Sequence, residues 1–172
     1  MLEETITWLE MSALSQLVPG RPPPAPLELK QVDATAATLL RMTYVRIGEP
    51  HACTGRTAWS DWEAELSRPG VRAWIARVDN QIAGMVELEA EPDGDTGIVV
   101  LGLVPAFVGK GFGGPLLTIA TRFAWDEMSM AGGATRRVVV QTSSRDHPHA
   151  IPNYEARGYQ AIRSARRSMD QS

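Results

Sequence analysis

The stretch that most restricts the fold of this chain begins with the almost unbroken apolar run TGIVVLGLVP, from Thr96 to Pro105. Four glycines follow within the six residues Gly109 to Gly114, and then PLLTIATRFAW carries apolar residues at helical spacing. The run predicts a central strand buried on both faces. Leu116, Ala120, Phe123 and Ala124, at i, i+4, i+7 and i+8, predict a helix, with Pro115 suited to its first position and Gly132 to its stop. A strand that enters a helix through a glycine-rich loop leaves unpaired N–H groups at the positive end of the helix dipole. The loop is either a tight turn or a cradle for a pyrophosphate. Four glycines carry an entropic cost that a plain turn does not require, which favours the cradle. Lys110 lies inside it and is one of only two lysines beside 15 arginines, the other being Lys30.

Two phosphate motifs fail on context. The Walker pattern requires Ser or Thr after Gly-Lys, and here Gly111 follows Lys110. Gly109, Gly111 and Gly114 do match GxGxxG, but a dinucleotide fold would place this unit first in a βαβ series and end the next strand with an acid. Here the unit lies two-thirds along the chain, and RRVVVQTSS ends without one.

The surrounding elements are legible from their periods. LELKQVD alternates as a strand, and Asp33 can cap the helix-prone ATAATLLRMTYVRI. After the loop GEPHACTG, TAWSDWEAELSRPG reads as a short amphipathic helix with Trp59, Trp62 and Leu66 on one face, stopped by Pro69 and Gly70. VRAWIARVDNQIAGMVELEAE reads as a hairpin turning at Asp79 and Asn80. Beyond the glycine loop come a helix, the strand RRVVVQTSS, the short helix HAIPNYEARG with Pro152 in its first turn, and the strand YQAIRSARR. Residues 1–26 read as an N-terminal extension: ITWLEM is a strand or a helix start, with its branched and aromatic residues leaning toward strand, followed by the stiff connector VPGRPPPAP. Residues 27–172 are then the functional domain.

Composition narrows the function classes. With 172 residues the chain fits one domain with a sizeable core, and a net charge of −3 gives no broad basic field for nucleic acid. The longest apolar run is about 13 residues with a proline inside, too short to span a bilayer. The acidic MLEETITWLE lacks the basic start of a signal peptide, and the single cysteine, Cys53, fits a reducing compartment, so a cytoplasmic protein is expected. His51, Cys53, His147 and His149 do not have structural zinc spacing, and no metal is expected. The tryptophans at helical spacing are more safely read as packing than as recognition.

The sequence VPAFVGKGFGG, with Gly111, Gly113 and Gly114 at the glycine positions of [QR]xxGxG[GA] after a strand ending in V-x-P, resembles the acetyl-CoA loop of the GCN5-related N-acetyltransferase (GNAT) superfamily. Val108 stands where Gln or Arg is usual. DHPHAIPNYEARGY, with His147, Ala150, Tyr154, Gly158 and Tyr159, is similar to the family's NxxAxxxYxxxGF, and TWLEM before a proline-rich linker resembles the start of a subset of its members. The resemblance covers roughly residues 27–168. It implies an α/β (α+β) fold with a mixed, mostly antiparallel central sheet, split by a V-shaped opening and flanked by helices. It implies transfer of an acetyl group from the cosubstrate acetyl-CoA to a primary amine of a small molecule or protein, and a homodimer, common in the family, is expected. Leu103 and Val104 would pair the pantetheine arm, with the Val104 N–H aimed at the thioester oxygen. Gly109, Lys110, Gly111, Phe112, Gly113 and Gly114 would hold the pyrophosphate, and His147, in place of the usual Asn, would lie beside the cofactor.

Tyr154 is the expected general acid, since a phenol of pKa about 10 can lend a proton to a thiolate near 8.5 at little cost. No acid stands on TGIVVLGLVP, where many relatives keep a glutamate. Glu87 and Glu89, which share a strand face, are therefore the candidates for the base, unless that face is simply solvated. The missing glutamate and the missing Gln or Arg equally fit a relative that binds acyl-CoA or a protein partner without turnover. A dinucleotide-dependent oxidoreductase is the third reading.

Overall fold

The computed structural model describes residues 3–51, 61–128 and 133–168. Seven strands form one sheet: β1 (Glu3–Met11), β2 (Glu28–Val32), β3 (Val71–Val78), β4 (Gln81–Ala90), β5 (Asp95–Leu103), β6 (Arg137–Ser143) and β7 (Gln160–Ser168), in the spatial order β2-β3-β4-β5-β6-β1-β7. All neighbours are antiparallel except β5 and β6. Helices α1 (Ala37–Gly48) and α2 (Trp62–Leu66) cover one face through Leu40, Trp62, Ala73, Ile75 and Met85. Helices α3 (Gly113–Asp126) and α4 (Ala150–Ala156) cover the other, where Leu116, Leu117, Ala120 and Ala124 meet Val86, Leu88, Val138 and Val140.

The local signals act as the residue chemistry requires. Asp33 accepts hydrogen bonds from the Thr35 backbone N–H and hydroxyl ahead of α1, and Asp61 caps α2 by accepting from the Ala64 N–H at 2.7 Å. Asp79 and Asn80, with φ of 50° and 64°, make the tight hairpin turn between β3 and β4. Helix α3 starts at Gly113, two residues before Pro115, and ends at Asp126; Gly132 lies outside the described residues.

The N-terminal segment is not an appendage to the core. β1 is inserted between β6 and β7, pairing Ile6 to Met11 with Ser143 to Val138 on one side and Glu3 to Glu10 with Ser168 to Gln160 on the other. Its Leu9 and Met11 are fully buried in the main core. The boundary at residue 26 is therefore corrected, because β1 is an interior strand that only distant partners complete.

The V-shaped opening arises between β5 and β6. Their parallel pairing covers only Asp95–Ile98 against Arg137–Val140, after which each strand continues without the other. At that point β5 carries a bulge: Leu88 faces Ile98 while Glu87 faces Val100. The extra residue, Val99, reverses the side-chain phase, so Ile98 packs on the α3 side and Val100 on the α1 side.

Candidate active site

A cavity of about 860 Å³ fills the opening, walled by β5 from Ile98 to Leu103, the glycine loop, β6 with the segment after it, and the faces of α1 and α4. Its polar chemistry is confined to a few elements. Among the described lining residues, the titratable side chains are Tyr44 on α1, Asp146, His147 and His149 after β6, and Tyr154 on α4.

At one end lies the glycine loop. Gly109 and Gly111 take φ of +73° and +92°, a left-handed conformation that glycine adopts without steric cost. A Cβ on Gly109 would project into open space. The first helical bond at the start of α3 runs from the Leu116 N–H to the Phe112 carbonyl. The amides of Gly113 and Gly114 therefore precede the ladder, and Pro115 has none to satisfy. Gly109, Gly111, Gly113 and Gly114 all line the cavity, whereas Lys110 and Phe112 do not. The Phe112 ring is a buried plug that meets Phe107 edge-on at 5.6 Å. Asn153, one residue before Tyr154, donates from Nδ2 to the Gly113 carbonyl at 3.2 Å and ties α4 to the loop.

The strand beside the loop corrects one sequence expectation. The Val104 N–H donates to the Ala83 carbonyl at 2.8 Å, and Val104 is fully buried off the cavity wall. In an antiparallel ladder the bonded residues alternate. With Ala83 paired to Val104, the main-chain groups of Leu101 and Leu103 turn away from β4 and toward the opening. Leu103 and Leu101, the latter unremarked in the sequence, both line the cavity.

On the opposite wall, Tyr154 is buried in the core and meets Tyr159 edge-on at 5.7 Å. Burial pushes its phenol well above the ordinary value, with Tyr159 and Asp146 adding to the effect. It is therefore neutral at physiological pH but a weaker acid than an exposed tyrosine. Tyr159 bonds Thr121 through its hydroxyl at 2.7 Å and serves packing. In the turn after β6, Asp146 Oδ2 accepts from the Thr142 hydroxyl at 2.7 Å and the Ser143 N–H at 2.8 Å. His147 Nδ1 accepts the His149 backbone N–H at 3.1 Å, and the two imidazole centroids lie 5.1 Å apart.

Neither carboxylate expected as base reaches the cavity wall. Glu87 is fully buried among side chains on the α1 side of β4, and Glu89 is held in an ion pair by Arg68. Trp62 packs on Tyr44 at 5.4 Å, and Trp74 on Phe123 at 5.0 Å. Trp59 and Cys53 lie outside the described residues, as does the second half of the loop GEPHACTG. Among the described residues no group of three or more His, Cys, Asp or Glu is placed to hold a metal ion.

Comparison with known proteins decides the kinship. The family model described as "Acetyltransferase (GNAT) family" matches residues 36–159, well over half of the chain and inclusive of the glycine loop and Tyr154. The chain belongs to the GNAT acetyltransferase family. No curated protein matches this GNAT chain. Among solved structures it resembles a GCN5-related N-acetyltransferase from Kribbella flavida at 17% identity and a TM-score of 0.63, covering 94% of this chain and 56% of that one. A GCN5-related N-acetyltransferase from Sphaerobacter thermophilus aligns at 14% identity and a TM-score of 0.56, covering 94% of this chain and 49% of that one. At such identities the likeness is one of fold. This GNAT chain spans about half the length of those two proteins. No helix among its described residues is long and apolar enough to cross a membrane.

Proposed function

We propose that the protein transfers an acetyl group from acetyl-CoA directly to a primary amine, in the cytoplasm, where acetyl-CoA is supplied. The observation that carries this reading is the continuity of one cavity from the glycine loop, past the free main chain of Leu101 and Leu103, to Tyr154. The residues present fit the cofactor. Loop amides ahead of the α3 ladder and the open space at Gly109 suit a pyrophosphate. Leu101 and Leu103 offer an unpaired strand edge to the amide-bearing pantetheine arm, which would lie along β5 as an added strand. Acetyl-CoA, when bound, supplies the activated acyl carbon.

The chain's own residues then order the amine and handle protons. One main-chain N–H of the Leu101–Leu103 segment stabilises the oxyanion, and the Tyr154 hydroxyl protonates the departing sulfur. The cost of that proton transfer exceeds the sequence expectation, because burial weakens the phenol as an acid; each pKa unit is about 1.4 kcal/mol. Tyr44 and Ile47, on the α1 wall, would face the incoming amine.

Release of the coenzyme A thiol with a panel of primary amines tests the activity. Tyr154→Phe is expected to lower kcat about 10- to 100-fold with the affinity for acetyl-CoA unchanged. Tight acetyl-CoA binding with no turnover for any amine would favour the non-catalytic binder, a reading that the absence of an acid from the β5 wall keeps in view.

A further inference from the structure

Resting on the transferase reading, we propose that the histidine pair after β6 replaces the strand glutamate: His149 takes the proton from the incoming ammonium, while His147 is held as a hydrogen-bond donor. The division follows from one contact. His147 Nδ1 accepts the His149 backbone N–H at 3.1 Å, so the neutral imidazole of His147, which lines the cavity, keeps its proton on Nε2. Its basic lone pair is engaged. The His149 ring, 5.1 Å away, is an exposed member of the same wall and can pass a proton on to solvent.

The other titratable groups facing the cavity do not compete. Asp146 Oδ2 is committed to Thr142 and Ser143 in shaping the turn that presents both histidines. Tyr44, on α1, and Tyr154, on α4, are phenols, and burial holds the Tyr154 proton more firmly still. β5 and the glycine loop contribute no titratable side chain to the wall among the described residues.

The proton count closes. An alkylammonium loses one proton to His149, which releases it to water. The free amine attacks the thioester carbon and forms the C–N bond, leaving a positively charged nitrogen and an oxyanion. As the C–S bond breaks, Tyr154 gives its proton to sulfur and regains one from that nitrogen. The products are an amide, a thiol and one proton in solution.

The test is the pH profile of kcat/KM for thiol release from acetyl-CoA, with 2-phenylethylamine, spermidine and a lysine-containing tetrapeptide as probe amines. His149→Gln is expected to lower kcat/KM about 100-fold at pH 7, to lose the histidine limb of the profile and to recover toward pH 10 as the amine deprotonates unaided. The KM for acetyl-CoA should stay within twofold. His147→Gln is expected to lower kcat at every pH and leave the limb in place. The His149 side chain makes no cap bond to α4, so the variant should fold, and its melting temperature checks this. A wild-type profile in His149→Gln, or a displaced limb in His147→Gln, would overturn the assignment while leaving the transferase reading intact. Absence of thiol release by the wild type with all three probes would overturn both.

Discussion

Gly111 sits at φ +92°, with space for a Cβ in ordinary contact with the Pro24 ring, so backbone conformation rather than crowding demands glycine there. Gly111→Ala should cost about 1–2 kcal/mol of stability. Urea unfolding would read this, and calorimetric titration should show acetyl-CoA affinity falling at least tenfold as the loop amides are re-aimed. The places of the glycine loop, at the start of α3, and of Tyr154, on α4, were legible because their signals are local. Which amide of β5 faces the cleft was not: Val104 and Leu103 differ only in hydrogen-bonding phase, and that phase is set by pairing with Ala83, some twenty positions away. The commitment of Glu89 to Arg68 was hidden for the same reason, since nothing in MVELEAE names its partner.

The strands β5 and β6 stay together at their first residues because Asp95 is clamped there. Its carboxylate accepts from Arg137 Nη2 at 2.7 Å and Arg136 Nη2 at 3.1 Å, and Arg137 also reaches Glu10 on β1 at 2.8 Å. Burial of Asp95 pushes its carboxyl up, but the bonds from Arg137 and Arg136 outweigh this and hold it below the ordinary value. A depressed folded value means that the stabilisation is complete above the unfolded carboxylate range near 4 and is lost as pH falls through the folded value. Asp95→Asn should therefore cost roughly 1–3 kcal/mol at pH 7 and much less at pH 2–3, as measured by urea midpoints across that range. The clamp closes one end of the V and the bulge at Val99 opens the other. Strand and turn identities, such as Asp79-Asn80 and the buried run of β5, could be read from composition and period. The bulge could not, because TGIVVLGLVP is apolar at nearly every position and offers no alternation for an extra residue to interrupt.

The sheet closes through its N-terminus. Among the described residues β7 pairs only with β1, and both faces of β7 are exposed, so β1 is what holds this strand in place. Glu4 reinforces this through Ser143 on β6 and Arg167 on β7, contacts 139 and 163 residues apart in sequence. Removal of residues 1–26 should therefore abolish cooperative unfolding rather than trim a tail; calorimetry of the truncated chain would show a broad or absent transition, and a sharp melt close to that of the full chain would refute this. ITWLEM held enough branched and aromatic residues to be read as extended, yet its neighbours lay at the other end of the chain, beyond any local signal. The arrangement also sets an order of events during synthesis. β1 leaves the ribosome before β6 and β7 and cannot find either until the strands and helices between them have followed, several seconds later at about 5–20 residues per second. Throughout that interval Leu9 and Met11, which end with no exposure at all, face solvent or a chaperone. The growing chain must keep β1 unpaired until β6 and β7 arrive.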